Sequence, residues 1–309
     1  MDVKLLEKTK EGMKLESHLN SDLEPLENKQ LSCKIVHGDN RTVLEDYEGL
    51  VDLIVTSPPY ADARKSHYDS IHPDKFAEWF VTFHEPFFNA LKPKGSFILN
   101  IKDKVVDGQR HRFVWDTIRE LEDRGWKTID DYIWIKTNPM PGYWPNRLRD
   151  GWEYCFHLAK DSKPAMYQNA VKTPIGKWSN VRLTNLNGKS NERHNSENES
   201  GFGRDLRNWV GKETVLPSNV ITLPLVGKNY GHPAAFPVGL PEFFIKLFTK
   251  EGDLVLDPFA GSGSTGVAAI NQKRNCVLVD NNKEYCQTAH KRILKESVCE
   301  EYSITKEGF

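Results

Sequence analysis

Short apolar runs recur along the chain and alternate with segments whose apolar residues follow helical spacing. Residues 51–56 form a nearly continuous apolar run, as do residues 96–101 and 276–279. This pattern is typical of strands that are buried on both faces of a parallel sheet. Residues 74–91 follow helical spacing instead, with one side formed by Phe76, Trp79, Phe80, Phe83 and Phe87. We therefore predict three buried strands and one long amphipathic helix.

The remaining regular segments extend this alternation. Further strands are predicted at residues 33–37, 132–136, 153–158 and 254–256, the second and third of them paired. Further helices are predicted at residues 111–124, 241–248, 264–271 and 282–295. Turns are predicted at Gly38-Asp39-Asn40 and at Pro93-Lys94-Gly95. Together these elements predict an α/β fold with a doubly wound, mostly parallel, Rossmann-like sheet.

Composition divides the chain into four segments. Residues 1–30 are polar and charged throughout and form a predicted N-terminal leader without the apolar core of a secretory signal. Residues 160–217 are rich in Asn, Ser, Lys and Gly, and we predict a loop-rich insertion there. Residues 31–159 and 218–309 carry the α/β pattern. No apolar run approaches the length of a membrane span, so we expect a cytoplasmic protein with no membrane partner.

Charge and cysteine content indicate which kinds of binding site the sequence can form. The formal net charge is −1, but residues 160–217 contain ten lysines and arginines against six aspartates and glutamates. Local patches govern nucleic-acid binding, so this insertion is the better guide. The five cysteines form no Cys-x-x-Cys pair, so we predict neither a zinc site nor a disulfide framework, and no metal.

A glycine-rich segment, Asp257-Pro-Phe-Ala-Gly-Ser-Gly-Ser-Thr265, joins a predicted strand to a predicted helix. We call it the glycine turn. Its glycines allow a tight bend and a close approach to a ligand, and the helix that follows offers free N–H groups. Asp280, at the end of the next strand, is placed to accept hydrogen bonds from ribose hydroxyls. The spacing is not G-x-G-x-x-G and no lysine is placed for a triphosphate, so we predict an adenosine-type cofactor other than NAD or a nucleotide triphosphate.

A second segment, Ser57-Pro58-Pro59-Tyr60, ends the buried strand at residues 51–56. We call it the SPPY motif. In an open α/β sheet, ligands lie at such strand ends. The Ser57 hydroxyl and the Pro58 carbonyl can accept hydrogen bonds from an exocyclic amino group, which frees the nitrogen lone pair for attack. Tyr60 offers a flat face on which a base can stack.

The two motifs in this order resemble those of the β-class DNA amino-methyltransferases. Members of that family carry Pro-Pro-Tyr after a hydrophobic strand and, later in the chain, D-P-F-x-G-S-G-(S/T)-T. The resemblance covers most of residues 33–295. Gly38-Asp39 resembles the segment that contacts the adenine of the cofactor, and residues 232–237 resemble the segment beside its methionine end. Residues 133–136 resemble the strand that borders the target-base pocket.

The resemblance implies an enzyme that uses S-adenosylmethionine and no metal to methylate a base flipped out of double-stranded DNA. Residues 31–159 are then the catalytic half, residues 160–217 the target-recognition region and residues 218–309 the cofactor-binding half. The implied catalytic residues are Ser57, Pro58, Pro59 and Tyr60. The implied cofactor-binding residues are Asp39, Thr56, Phe236, Pro237, Asp257, Pro258, Phe259, Ala260, Gly261, Ser262, Gly263, Ser264, Asp280 and Asn281. The expected DNA-binding residues are Lys136, Arg182, Arg193, Arg204 and Arg207.

The residue before Pro-Pro bears on the target base. In this family serine there is usual for cytosine N4 enzymes and aspartate for adenine N6 enzymes, so Ser57 predicts N4-methylcytosine. Three alternatives stay open: an N6-adenine enzyme on the same fold, an amino-methyltransferase of RNA or protein, and a non-catalytic DNA- or cofactor-binding module. Methylation at cytosine C5 is not predicted, because its Pro-Cys nucleophile is absent. Similar enzymes often belong to restriction–modification systems, so a separately encoded restriction endonuclease is an expected partner.

Overall fold

A nine-stranded sheet forms the centre of the structure, a computed structural model that describes residues 30–61, 71–176, 211–227, 235–299 and 301–309. The strands in chain order are β1 (Leu31–His37), β2 (Val51–Thr56), β3 (Leu91–Ile101), β4 (Lys104–Val106), β5 (Gln109–His111), β6 (Lys127–Lys136), β7 (Trp152–Ala159), β8 (Thr173–Pro174), β9 (Thr214–Val215), β10 (Val220–Leu223), β11 (Leu254–Asp257), β12 (Asn275–Asp280) and β13 (Tyr302–Glu307). The order in the main sheet is β10-β6-β7-β3-β2-β11-β12-β1-β13. Strand β7 is antiparallel to both neighbours, whereas the other neighbouring pairs are parallel. The predicted mostly parallel sheet is confirmed.

The helices of the described residues pack on this sheet. They are α1 (Asn40–Val43), α2 (Pro73–Phe80), α3 (His84–Ala90), α4 (Phe113–Glu122), α5 (Gly239–Phe248), α6 (Ser264–Asn271) and α7 (Lys283–Glu296). Short 3₁₀ turns lie at Leu44–Tyr47, Val81–Phe83 and Gln168–Val171. The four helices predicted after residue 110 correspond to α4 to α7 and agree with them to within two residues at each end.

Two sequence predictions in the first half were wrong. The single helix predicted at residues 74–91 is two helices, α2 and α3, joined by a 3₁₀ turn. Pro86 lies in the first turn of α3 and has no N–H to donate to the carbonyl four residues earlier, so a continuous helix is interrupted there. The turn predicted at Pro93-Lys94-Gly95 lies inside β3. The register with β2 jumps there from Val51 opposite Leu91 to Leu53 opposite Ser96, which is a bulge.

The sheet is buried on both faces by two separate clusters of apolar side chains. Successive residues of β2 alternate between them: Leu53 packs with the cluster around α5, and Ile54 with the aromatic cluster around α2 and α3. Residues Val255 and Leu256 of β11 divide in the same way. Full burial of one such side chain is worth about 1.5–3 kcal/mol, so both layers stabilise the register. This explains the continuous apolar runs in the sequence.

The two predicted halves share one sheet. Strands β2 and β1 of the first half pair with β11 and β12 of the second, and residues Leu31–Phe309 form one compact unit. Strands β10 and β13 at the two sheet edges were not predicted, because both are short or half-exposed and lack a continuous apolar run. No helix within the described residues combines the length and the apolar character needed to cross a membrane.

Candidate active site

The SPPY motif and the glycine turn meet at the carboxyl edge of the sheet. Strands β2 and β11 are parallel neighbours, so the segments that follow them emerge side by side. The hydroxyl of Thr56, the last residue of β2, donates a hydrogen bond of 2.6 Å to Oδ1 of Asp257, the last residue of β11. One buried hydrogen bond therefore joins two residues that lie about two hundred positions apart in the sequence. The predicted juxtaposition of the two motifs is confirmed.

Asp257 holds the glycine turn in shape from behind. Its Oδ2 accepts a hydrogen bond of 2.5 Å from the Thr265 hydroxyl, and its Oδ1 also accepts one of 3.2 Å from the backbone N–H of Phe259. Burial raises the pKa of the Asp257 carboxyl to about 6, and the hydrogen bonds it accepts partly offset that rise. Asp257 and Thr56 were predicted to contact the cofactor. Both are buried and bonded to each other, which makes them supports of the turn.

Two glycines give the turn its shape. Gly261 and Gly263 have φ of +50° and +78°, in the left-handed region that favours glycine. Gly263 is also the N-cap of α6, and a Cβ placed on it would lie 2.8 Å from Cβ of Ala289 in α7. The glycine therefore permits both the bend and the close packing of α7 behind it.

Gly263→Ala is expected to lower the free energy of unfolding by about 2–4 kcal/mol, since a left-handed backbone strain of about 1–3 kcal/mol is combined with a steric clash. Gly252 is the matched control, because its φ is +85° but nothing lies within 4 Å of a Cβ there. Urea denaturation of both variants measures the difference. Equal losses in the two would show that α7 moves away without cost.

Arg292 of α7 braces the same turn and was missed by the sequence reasoning. Its Nη1 donates to the hydroxyls of Ser262 at 3.0 Å and Ser264 at 2.9 Å, and its Nε donates to Glu296 at 3.0 Å. The side chain is buried. A sequence signal exists, because Arg292 directly precedes Ile293 on the buried face of α7. Ser262 and Ser264, predicted as cofactor contacts, have these buried hydroxyls engaged by the protein.

Asp280 presents a partly exposed carboxylate beside the turn. Its Oδ2 accepts the N–H of Gly261 and its Oδ1 accepts the N–H of Asn282, both at 2.8 Å. Each carboxylate oxygen retains a lone pair, so two further donors can be accepted. A ribose diol supplies two such donors, and this set of residues therefore fits S-adenosylmethionine. Burial raises the pKa of the Asp280 carboxyl to about 6, and the two backbone hydrogen bonds partly offset that rise.

The Asp280 pKa predicts opposite pH trends for binding and stability. Below about pH 6 the carboxyl is protonated in the folded protein and accepts hydroxyl donors less well. Cofactor affinity is then expected to fall by up to about ten-fold between pH 6 and pH 5. The folded-state pKa lies above the unfolded value of about 4, so the same protonation removes a cost of burial and favours folding between pH 6 and pH 4. Titration calorimetry across this range measures the first trend and urea denaturation the second.

Asp280→Asn is the control for this pH dependence. An amide does not titrate in this range, so the variant should bind the cofactor more weakly at pH 7.5 and should lose the part of the wild-type pH dependence that comes from Asp280. The dependence that is left reports Asp257, whose pKa is also raised to about 6. A wild-type profile that is flat through pH 6 would contradict the assignment of Asp280 to the ribose.

The other predicted cofactor residues lie around this carboxylate. The backbone N–H of Gly38 donates to the Asp280 carbonyl at 3.0 Å, which brings Asp39 to the same edge. Asp39 caps α1 and pairs with Arg41 at 2.5 Å, and the Arg41 guanidinium lowers the pKa of the Asp39 carboxyl. The carbonyl of Phe236 accepts the Ser264 hydroxyl at 2.8 Å, which ties residues 236–237 to the start of α6.

The side chain of Phe259, in the glycine turn, packs against the aromatic cluster around α2 and α3. Its ring centroid lies 5.2 Å from that of Phe83 and 6.1 Å from that of Trp79. The Arg41 guanidinium lies 5.5 Å from the centre of the Phe83 ring. These contacts fix the side of the turn that faces away from α6.

The SPPY motif is held by a buried ion pair. The Tyr60 hydroxyl donates to Oε2 of Glu153 at 2.8 Å, and the Lys136 ammonium donates to Oε1 at 2.5 Å. The side chains of Lys136 and Glu153 are 8% and 4% exposed. Because β7 is antiparallel, it begins at the edge where β2 and β6 end, which places Glu153 beside both partners. Burial, followed by the negative charge of Glu153, raises the pKa of Tyr60 well above its usual value, so the phenol remains a donor.

The prediction that Lys136 contacts DNA does not fit this placement, since its ammonium is buried and bound to Glu153. The four arginines predicted to bind DNA, together with His232 and the leader through residue 29, lie outside the described residues. The sequence reasoning did not single out Glu153. Its signal was weak, because a single glutamate near the start of a strand is ordinary.

Comparisons with known proteins agree on the class of protein. A model of the N6/N4 methyltransferase family, described as DNA methylase, matches residues 51–291. The type II methyltransferase M.PvuII of Proteus hauseri is 26% identical over 288 residues, covering 85% of this chain and 84% of that protein. The type II methyltransferase M.Cfr9I of Citrobacter freundii is 29% identical over 309 residues, covering 88% and 91%.

Solved structures give the same fold. The structure named PvuII DNA methyltransferase (cytosine-N4-specific) superposes with a TM-score of 0.63 at 22% identity and covers 91% of this chain and 98% of that one. A complex of M1.HpyAVI with S-adenosylmethionine superposes with a TM-score of 0.53 at 26% identity and covers 84% and 98%. The family match spans both motifs and most of the chain. The chain therefore belongs to the N6/N4 DNA methylase family, a family of S-adenosylmethionine-dependent DNA methyltransferases.

Proposed function

We propose that this protein methylates the exocyclic N4 amino group of a cytosine that is flipped out of a specific duplex DNA sequence. The observation that supports the proposal is the buried hydrogen bond between Thr56 and Asp257, because it shows that the SPPY motif and the glycine turn begin side by side. A methyl donor and an amino acceptor bound at the two motifs would be neighbours. Positioning of this kind is a large part of catalysis in bimolecular transfer.

The second half of the chain supplies the cofactor site. The backbone of residues 259–263 lines it, Asp280 accepts the ribose hydroxyls, and residues 236–237 border the methionine end. When bound, S-adenosylmethionine supplies an electrophilic methyl group on a sulfonium sulfur. Asp39 lies at the adenine end of the site, with its carboxylate held by Arg41.

The first half of the chain activates the amino group. Ser57 follows Thr56 at the end of β2 and is partly exposed. Its side chain hydrogen-bonds that of Tyr60, and the Ser57 oxygen retains a lone pair that accepts one amino N–H. The Pro58 carbonyl accepts the other. Prolines 58 and 59 carry no N–H that would compete for these acceptors. As the amino nitrogen is drawn towards tetrahedral geometry, its lone pair becomes available as a nucleophile. The methylated nitrogen would carry a positive charge and would lose one proton through the Ser57 hydroxyl to water, because neither acceptor is a base strong enough to keep it.

Tyr60 supplies the stacking surface. A base stacked on an aromatic ring gains about 1–3 kcal/mol, and this gain is largest when the ring does not have to be ordered on binding. The hydrogen bond from Tyr60 to the buried Glu153–Lys136 pair fixes the ring before the base arrives. Lys136 thus acts within the base pocket. Arg182, Arg193, Arg204 and Arg207 remain the proposed contacts to DNA outside it.

The choice of cytosine rests on Ser57, which resembles the residue at this position in cytosine N4 enzymes. The named relatives are type II methyltransferases, which supports a restriction endonuclease encoded elsewhere as a partner. That endonuclease would share the recognised sequence without needing to contact this chain.

The test is direct. The protein is incubated in separate reactions with genomic DNA, total RNA and cell protein, each with S-adenosylmethionine carrying a labelled methyl group, and the nucleic acids are digested to nucleosides for mass spectrometry. Labelled N4-methylcytosine is expected. Labelled N6-methyladenine would overturn the base assignment alone, and unlabelled DNA beside labelled RNA or protein would overturn the substrate. Absence of any transfer by a folded, cofactor-binding protein would support a non-catalytic module.

A further inference from the structure

The loop between β6 and β7, residues 137–151, carries large apolar side chains that face solvent. Tyr143 and Leu148 are 88% and 89% exposed, and Met140 is also exposed. Exposed apolar residues are common singly, but with Trp144, which is 38% exposed, four lie within nine positions of this loop, and such a group marks an interaction surface.

The loop is anchored at the candidate active site. The N–H of Lys136, just before the loop, donates to the carbonyl of Gly151 at its end, with a distance of 2.8 Å. The same Lys136 and the neighbouring Glu153 hold Tyr60 through their side chains. Both ends of the loop therefore lie beside the residues that hold Tyr60.

The loop has a preformed conformation. It contains three prolines, at positions 139, 141 and 145, and Trp144 forms a backbone bridge with Arg147. The Arg147 guanidinium lies 4.3 Å from the centre of the Trp144 ring, and a Cβ at Gly142 would clash with that ring. A loop that is ordered in advance loses little conformational entropy when it binds.

The base of the loop is positively charged. Three cations surround one carboxylate, since Arg110, Lys102 and Arg147 approach Asp150 at 2.7 Å, 3.1 Å and 3.7 Å. Arg149 is exposed beside them. This excess of positive charge complements the phosphates of a nucleic acid. It therefore favours DNA over an apolar protein surface as the partner of the loop.

We propose that this loop is the DNA-inserting element, with Tyr143 and Leu148 occupying the space that the target base leaves in the duplex. The inference rests on the proposed function, since a flipped base requires duplex DNA at this site. Extrusion of a base costs the stacking and pairing of one base pair, and apolar side chains that enter the stack replace part of that contact. The cations around Asp150 lie where they can contact phosphates of the distorted strand.

The test uses duplexes that carry the site found by sequencing DNA methylated by the wild-type protein. Single-turnover methylation is measured for the wild-type protein, Tyr143→Ala, Leu148→Ala and the double variant, on a matched duplex and on one with a mismatch at the target cytosine. Leu294→Ala is the control, because Leu294 is an equally apolar, 59% exposed residue on α7. Tyr143→Phe keeps the ring and tests whether the aromatic surface is what counts.

On matched DNA the double variant is expected to lose about ten- to a hundred-fold in rate, with unchanged cofactor affinity and with Tyr143→Phe near wild type. On mismatched DNA most of the loss should disappear, because less pairing energy has to be replaced. Equal losses on both duplexes would overturn the inserting role, and no loss on either would overturn contact with DNA. If the wild-type protein methylates neither duplex, the proposed function itself fails, and this inference fails with it.

Discussion

Ser57→Ala is expected to lower the rate of methyl transfer by about 100- to 1,000-fold, the usual cost of losing one preorganised hydrogen-bonding group where charge develops. The affinity for S-adenosylmethionine should stay within about two-fold of wild type. Ser57 is the first residue after β2 and belongs to the proposed acceptor side of the site, whereas Asp280 and the glycine turn form the proposed cofactor side. Single-turnover methylation and titration calorimetry measure the two quantities separately.

Thr56→Val provides the contrasting variant. Valine has nearly the shape of threonine but leaves Oδ1 of the buried Asp257 without the 2.6 Å hydrogen bond from the hydroxyl. Loss of that partner is expected to cost about 1–3 kcal/mol of stability and to loosen the glycine turn, so cofactor affinity should fall along with rate. If Ser57→Ala gave this same joint loss, Ser57 would be a support of the fold rather than an activating group.

Local sequence was sufficient to predict the two motifs and the strands that position them. Residues 51–56 and 254–256 are largely apolar runs, so burial is encoded in the run itself. Pro-Pro restricts the backbone after the first run, and Gly-x-Gly permits the tight bend after the second. Once both strands are placed in a parallel sheet, their carboxyl ends must share an edge. The adjacency of donor and acceptor motifs then follows without knowledge of any side-chain contact.

The supports of the site could not be predicted in this way. Arg292 contacts Ser264, 28 positions away, and Glu153 contacts Tyr60, 93 positions away. An arginine in a helix or a glutamate in a strand has many ordinary roles. The same limit applies to Asp257. Its position after a strand indicated a ligand contact, and only the tertiary structure shows that both carboxylate oxygens accept hydrogen bonds from the protein.

The break between α2 and α3 shows a different limit. Helical spacing of the aromatic residues is real, because Phe76, Phe80, Phe83 and Phe87 all belong to one buried cluster. A 3₁₀ turn keeps these side chains on one side while it accommodates Pro86. Periodicity therefore located the buried face correctly, and the proline in the sequence was the signal for the interruption.

Lys136→Met is expected to destabilise the protein by about 3–5 kcal/mol, because it leaves the carboxylate of Glu153 buried without its cation. Adding Glu153→Gln removes the uncompensated charge and retains a side-chain oxygen that can accept from Tyr60. The double variant should therefore recover more than half of the lost stability, measured by urea denaturation. Tyr60 then keeps its partner, so the recovered protein should also regain part of the methylation activity that Lys136→Met loses.

A surface pair provides the matched comparison. Lys246 and Glu242 form a 2.5 Å ion pair on α5 with side chains 36% and 34% exposed, so Lys246→Met should cost less than about 1 kcal/mol. Both variants remove one ammonium from one carboxylate. The difference between their losses in free energy of unfolding therefore reports the effect of burying the ion pair. If Lys136→Met cost as little as Lys246→Met, water would have to reach Glu153 readily. Tyr60 would then lack the fixed support that makes it a ready surface for the incoming base.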